Sequence, residues 1–182
     1  MKKILMTLAA ACMAVTMNAQ VYVGGSVGIA SVKDGNADAE TTYKFLPEVG
    51  YNINDEWAVG VTLGYQKGNC NLINASYNPN INYEKFSIAP YVRYTVPVGS
   101  NVNLFVDGGI SYGSVKDNYT EFALGLKPGV AFTLSDKLSF VTHFGFVGFN
   151  SKNPKADGVD TSNATGVEFN QNNLTFGLYY NF

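Results

Sequence analysis

Few side chains in this sequence are equipped for nucleophilic, acid–base or metal chemistry. His143 is the single histidine among 182 residues, and Cys12 and Cys70 are the two cysteines. A histidine base needs a nucleophile within hydrogen-bond reach. In "SFVTHFGF" the hydroxyl on the same strand face is Ser139, four residues back, too far for direct contact at about 3.3 Å rise per residue. One histidine and one cysteine in separate segments form no ligand spacing for a metal. The sequence therefore points away from an enzyme and calls for no cofactor.

The elements that must position these groups are strands. Reading for period two gives eight, at 21–31, 43–53, 57–66, 84–96, 102–112, 121–134, 138–149 and 172–182. One face is apolar: Val21, Val23, Val27 and Ile29 in the first, Trp57, Val59, Val61, Leu63 and Tyr65 in the third. The fifth offers Val102, Leu104, Val106, Ile110 and Tyr112, and the seventh Leu138, Phe140, Phe144 and Phe146. The other face is small and polar, with Gly60, Thr62, Gly64, Asn103, Gly109, Ser111, Gly125, Gly129 and Thr175. The same phase places Lys44, Glu48, Arg93, Asp107, Lys127 and His143 on that second face.

Composition says which face meets water. Charged residues make up 14% of the chain, against roughly 25% in soluble domains. Net charge is -2, and without Lys2 and Lys3 it is -4, from 10 basic and 14 acidic residues; neither value gives an electrostatic footprint for nucleic acid. The opening "MKKILMTLAAACMAVTMNAQ" has a basic start, an apolar run and small residues up to Ala19, the pattern of a secretory leader. Residues 1–19 are then removed and 20–182 form one domain, with Cys70 its only cysteine and no intramolecular disulfide. A lipoprotein reading through Cys12 needs a shorter leader.

No later segment approaches the ~18 apolar residues of a spanning helix. A membrane-embedded chain must then be a closed β-barrel, since lipid cannot satisfy an open strand edge. The competing architecture is a soluble ligand-binding barrel, apolar inside and charged outside. The small, polar second face suits a narrow filled lumen better, and aromatics such as Trp57, Tyr65, Tyr94, Tyr112, Phe132 and Tyr180 gather near strand ends, where interface girdles would lie. Connections after strands 2, 4 and 6 are short, whereas those after strands 1, 3, 5 and 7 are longer and rich in Asn, Asp, Ser and Gly.

The leader, the eight alternating strands and the C-terminal "LTFGLYYNF" together resemble the small OmpA-type and OmpX-type outer-membrane β-barrels, across essentially the whole mature chain. The resemblance implies an all-β, eight-stranded antiparallel up-and-down transmembrane barrel in the bacterial outer membrane, both termini periplasmic. Phe176, Leu178, Tyr180 and Phe182 look like the terminal signal read by the barrel-insertion machinery in such proteins. That machinery and outer-membrane lipid are the partners implied. An envelope-structural or surface-interaction role is expected, with loops 67–83 and 150–168 open to a surface ligand. Rival roles are a narrow gated pore, an adhesin, and a lipid-modifying enzyme.

Two further expectations concern the interior and the outer face. Lys44, Glu48, Arg93, Asp107, Lys127 and His143 should form a polar network, with Glu48 and Asp107 paired to Arg93 and Lys127, because an isolated buried charge is expensive. It reads either as a gate or as polar filling, and the width of an eight-stranded barrel favours filling. Pro47, Pro90 and Pro128 recur in "FLPEVGYNI", "IAPYVRYTV" and "LKPGVAFTL" on the apolar face. Proline is confined to edges, strand starts or bulges in sheets, so each should mark a bulge or bend that helps close the sheet, or be inherited from an ancestral hairpin repeat.

Overall fold

The computed structural model describes residues 20–32, 40–68, 84–156, 160–168 and 175–182. Alternating apolar and polar residues form strand segments throughout: β1 (Val21–Val32), β2 (Glu40–Asn52), β3 (Trp57–Lys67), β4 (Glu84–Pro97), β5 (Val102–Val115), β6 (Tyr119–Ser135), β7 (Leu138–His143), β8 (Phe146–Pro154), β9 (Ser162–Glu168) and β10 (Thr175–Asn181). Each strand pairs antiparallel with its sequence neighbour from β1 to β7, and β10 bridges β7 to β1. The sheet closes on itself, leaving no open edge in the ring. β7 and β8 together make one stave, so the barrel has eight staves. β9 pairs only with β8 among the described residues, forming an arm beyond the ring.

The barrel is inside out relative to a soluble one. Glu48, Arg93 and Asp107 are buried in the lumen, while Val27, Phe45, Leu63, Ile88, Leu124 and Leu178 are exposed on the outside. Among the described residues no helix is long and apolar enough to cross a membrane. Outward aromatics pair across strands near the ends, as in Trp57 with Tyr94 and Tyr43 with Tyr65. Turns close the end where β1 begins and β10 ends: Asn54 Oδ1 accepts the amides of Glu56 and Trp57, and Ser135 Oγ accepts that of Leu138. There the Phe182 amide bonds the Val21 carbonyl at 3.1 Å, joining the two ends of the barrel.

Three expectations are corrected. The seventh strand is not continuous over 138–149. From Gly129↔His143 to Leu126↔Val147, β6 advances three residues while the partner advances four. The extra residue is a bulge at Phe144–Gly145, where Gly145 adopts φ 79, a left-handed conformation suited to glycine. A one-residue slip reverses side-chain facing, so Phe146, expected on the apolar face, lines the lumen. The connection after the fifth strand is also not long: β5 and β6 extend to Val115 and Tyr119, and Asp117 at φ 54 makes the tight turn.

The prolines behave in two ways. On the preceding strand each sits in an intact register, Pro47↔Gly25, Pro90↔Val61 and Pro128↔Val106. Toward the following strand, pairing skips from Phe45↔Tyr65 to Glu48↔Thr62 and from Ile88↔Tyr112 to Tyr91↔Gly109. Register is unchanged across both gaps, so Pro47 and Pro90 remove rungs without a bulge, against the expectation. Only Pro128 faces the bulge, its carbonyl accepting the Phe144 amide at 3.0 Å.

Candidate functional site: a latch across the lumen

Side chains from most staves meet halfway along the barrel. Arg93, on β4, donates Nε to Asp107 Oδ1 at 2.6 Å and Nη2 to Oδ2 at 2.8 Å, a bidentate pair with the adjacent strand β5. The same Nη2 reaches Glu48 Oε1 of β2 at 3.4 Å and the Tyr179 hydroxyl of β10 at 3.5 Å. Tyr91 OH donates to Glu48 Oε1, and Thr62 Oγ1 to Oε2. Since the Tyr91 proton goes to Glu48, the Tyr22 hydroxyl of β1 is the donor in its bond to Tyr91 OH. His143 of β7 meets Asp107 Oδ2 through Nε2 at 2.8 Å.

The guanidinium is also caged by rings. Its Cζ lies 4.2 Å from the Phe105 centroid, 5.1 Å from Tyr91, 5.3 Å from Tyr179 and 5.8 Å from Tyr22. Cation–π attraction of this kind strengthens where water is excluded. A lumen this narrow holds the rings because glycines stand opposite them. A Cβ on Gly24 would lie 2.2 Å from the Tyr179 ring, on Gly50 2.1 Å from Tyr22, on Gly60 2.3 Å from Tyr91 and on Gly129 2.2 Å from Phe105. The glycine-rich face of the sequence is the socket for the latch. Gly129→Ala meets the Thr142 carbonyl at 2.7 Å as well as the ring; we expect it to lower stability by about 1–3 kcal/mol, read as an earlier urea midpoint for the refolded barrel.

Of the sequence-selected lumen residues, Glu48, Arg93, Asp107 and His143 are brought together. Lys127 is not: it lies opposite Asp107 in register, but the Asp107 oxygens already take Arg93 and His143. Lys44 stands apart too, and both lysines line a chamber of about 290 Å³ on the long-loop side of the latch. A second chamber of about 440 Å³ opens on the short-turn side, lined by Asn52, Thr95, Asn103 and Asn181. Sequence reasoning passed over Tyr22, Tyr91, Phe105 and Tyr179, although strand phase puts them on the lumen face. Phe176, Leu178, Tyr180 and Phe182 all point outward.

One arrangement of catalytic type centres on His143. His143 Nδ1 lies 3.5 Å from Thr175 Oγ1, which with Asp107 gives a hydroxyl–imidazole–carboxylate order, but that carboxylate is held by two bonds from Arg93. Ser139 faces the other chamber. No group of three or more metal-ligating side chains occurs among the described residues.

A closed barrel with aliphatic residues outside and ion pairs inside is the architecture of an outer-membrane protein, and the profile of the outer membrane protein beta-barrel domain family matches residues 4–182. The chain belongs to this family. It is an integral outer-membrane β-barrel protein. Among solved structures, Neisserial surface protein A is similar at 16% identity and TM-score 0.57, covering 89% of this chain and 97% of that one. The Yersinia pestis outer membrane protein Ail, solved in a phospholipid bilayer nanodisc, is 13% identical at TM-score 0.47, covering 90% and 99%. At such identities the likeness concerns the fold. No curated protein matches the chain.

Proposed function

We propose that this outer-membrane barrel is a non-conducting, non-catalytic envelope protein that braces the membrane and presents its long-loop end to the surroundings. The observation that carries the reading is the latch. Arg93, Glu48, Asp107 and the rings around them tie β1, β2, β4, β5, β7 and β10 across the lumen, with one chamber above and one below. Gln20 and Phe182 lie at the short-turn end, which we assign to the periplasm, where Phe182 and the outward residues before it serve the insertion machinery. Residues 1–19 act as the export leader.

The test is electrical. Full-length mature chain reconstituted in planar bilayers is expected to give no reproducible unitary conductance, while a heat-dependent electrophoretic shift confirms that it is folded. A steady conductance from folded wild-type protein would replace this reading with the gated pore. A surface-binding role draws support from the β8–β9 arm, in which every β9 residue is exposed. It includes much of loop 150–168; in loop 67–83, residues 69–83, Cys70 among them, lie outside the described residues.

A further inference from the structure

The long-loop chamber contains lysines that make no direct ion pair among the described residues. Lys44 of β2, Lys85 of β4 and Lys127 of β6 all line it. Lys85 is engaged, its Nζ 2.6 Å from Glu121 Oε1. Lys44 and Lys127 have no hydrogen bond or ion pair among the described residues, and Lys127 is open to the water of the chamber. The carboxylates that line the space are all committed: Glu48 to Tyr91, Thr62 and Arg93, Asp107 to Arg93 and His143, Glu121 to Lys85. Arg93, Lys44, Lys85 and Lys127 exceed the lumen carboxylates Glu48, Asp107 and Glu121 by one charge, and a counter-ion joining Lys44 and Lys127 would offset that excess.

We propose that this chamber is a binding site for a small multivalent oxyanion of the phosphate class, held between Lys44 and Lys127. In the ring β2 and β6 are four staves apart, so the two lysines line the chamber from opposite walls. A ligand joining them must accept on opposite sides at once. A tetrahedral oxyanion has oxygens on every side, whereas a monocarboxylate presents one edge. Ser87, Ser111 and Thr175 line the same space and add hydroxyl donors. At about 290 Å³ the chamber lies at the low end of ligand pockets, suiting a phosphate ion or a small phosphate ester.

The test uses the full mature chain refolded in an uncharged maltoside detergent, titrated calorimetrically with inorganic phosphate, glycerol 3-phosphate and acetate. Wild type should bind a phosphate saturably and acetate far more weakly; binding of the ester alone would mark a phosphate group on a larger molecule, binding of the bare ion a free anion, and either supports the site. Lys44→Met and Lys127→Met should each weaken binding about tenfold or more, and the double variant should abolish it. Lys137→Met, at the short-turn end, should bind as wild type. A second measurement needs no variant: phosphate should protect Lys44 and Lys127, and not Lys137, from acetylation mapped by mass spectrometry. No saturable binding by folded wild type, or wild-type affinity in the folded double variant, would overturn the proposal.

Discussion

Arg93→Met is expected to destabilise the barrel by about 3–5 kcal/mol, the cost of breaking a buried pair by removing one partner. Glu48 and Asp107 are 8% and 5% exposed, and without the guanidinium they would be two carboxylates facing one another in a narrow lumen. The loss exceeds that of a surface ion pair, worth about 0–1 kcal/mol, because Arg93 and Asp107 are both buried and joined by bidentate bonds at 2.6 and 2.8 Å. The single tryptophan, Trp57, gives a fluorescence reading of urea unfolding in detergent or lipid.

A second variant separates charge from packing. Arg93→Met combined with Glu48→Gln and Asp107→Asn leaves the ring cage occupied and no unpaired carboxylate in the latch, and should recover much of the lost stability. A cost below about 1 kcal/mol for Arg93→Met alone would show that the latch is solvated and that its bonds exchange freely with water. The same variant bears on conductance: if the latch is what closes the lumen, opening it should bring current that wild type lacks.

The strand pattern was legible because a membrane barrel enforces period two on both faces: lipid demands apolar residues outside, and the lumen accepts small or charged ones inside. Hence the phase alone placed Arg93, Glu48, Asp107 and His143 in one space. It did not tell which would touch. Lys127 faces Asp107 across adjacent strands, yet Arg93 wins that carboxylate because its planar fork bonds both oxygens at once. The aromatic half of the latch was missed for a related reason. Tyr22, Tyr91, Phe105 and Tyr179 look like lipid-facing residues by type, and only the glycines opposite them show that the lumen has room for rings. The bulge at Gly145 was invisible because alternation resumes after it in reversed phase, and "HFGFVGF" reads smoothly in either. Proline signalled an interruption in the ladder but could not distinguish a missing rung from an added residue.

The orientation of the two faces carries the other large effect. Leu63 of β3 points outward, 39% exposed, next to Thr62, which bonds Glu48 inside. If the outer face meets hydrocarbon, Leu63→Arg puts a cation near the middle of the apolar band and should cost about 2–4 kcal/mol in lipid. Val98→Arg, in the short turn after β4 and also exposed, sits near the interface, where the same substitution should cost about 0–1 kcal/mol. In a water-soluble barrel the order would vanish, since both sites are exposed and each arginine would be solvated at little cost. The decisive quantity is therefore the difference between the two variants, measured by reversible urea unfolding in lipid vesicles. A difference near zero would contradict the burial of the outer face in lipid, whereas a gap of a few kcal/mol would tie the aliphatic exterior directly to the bilayer it was built to meet.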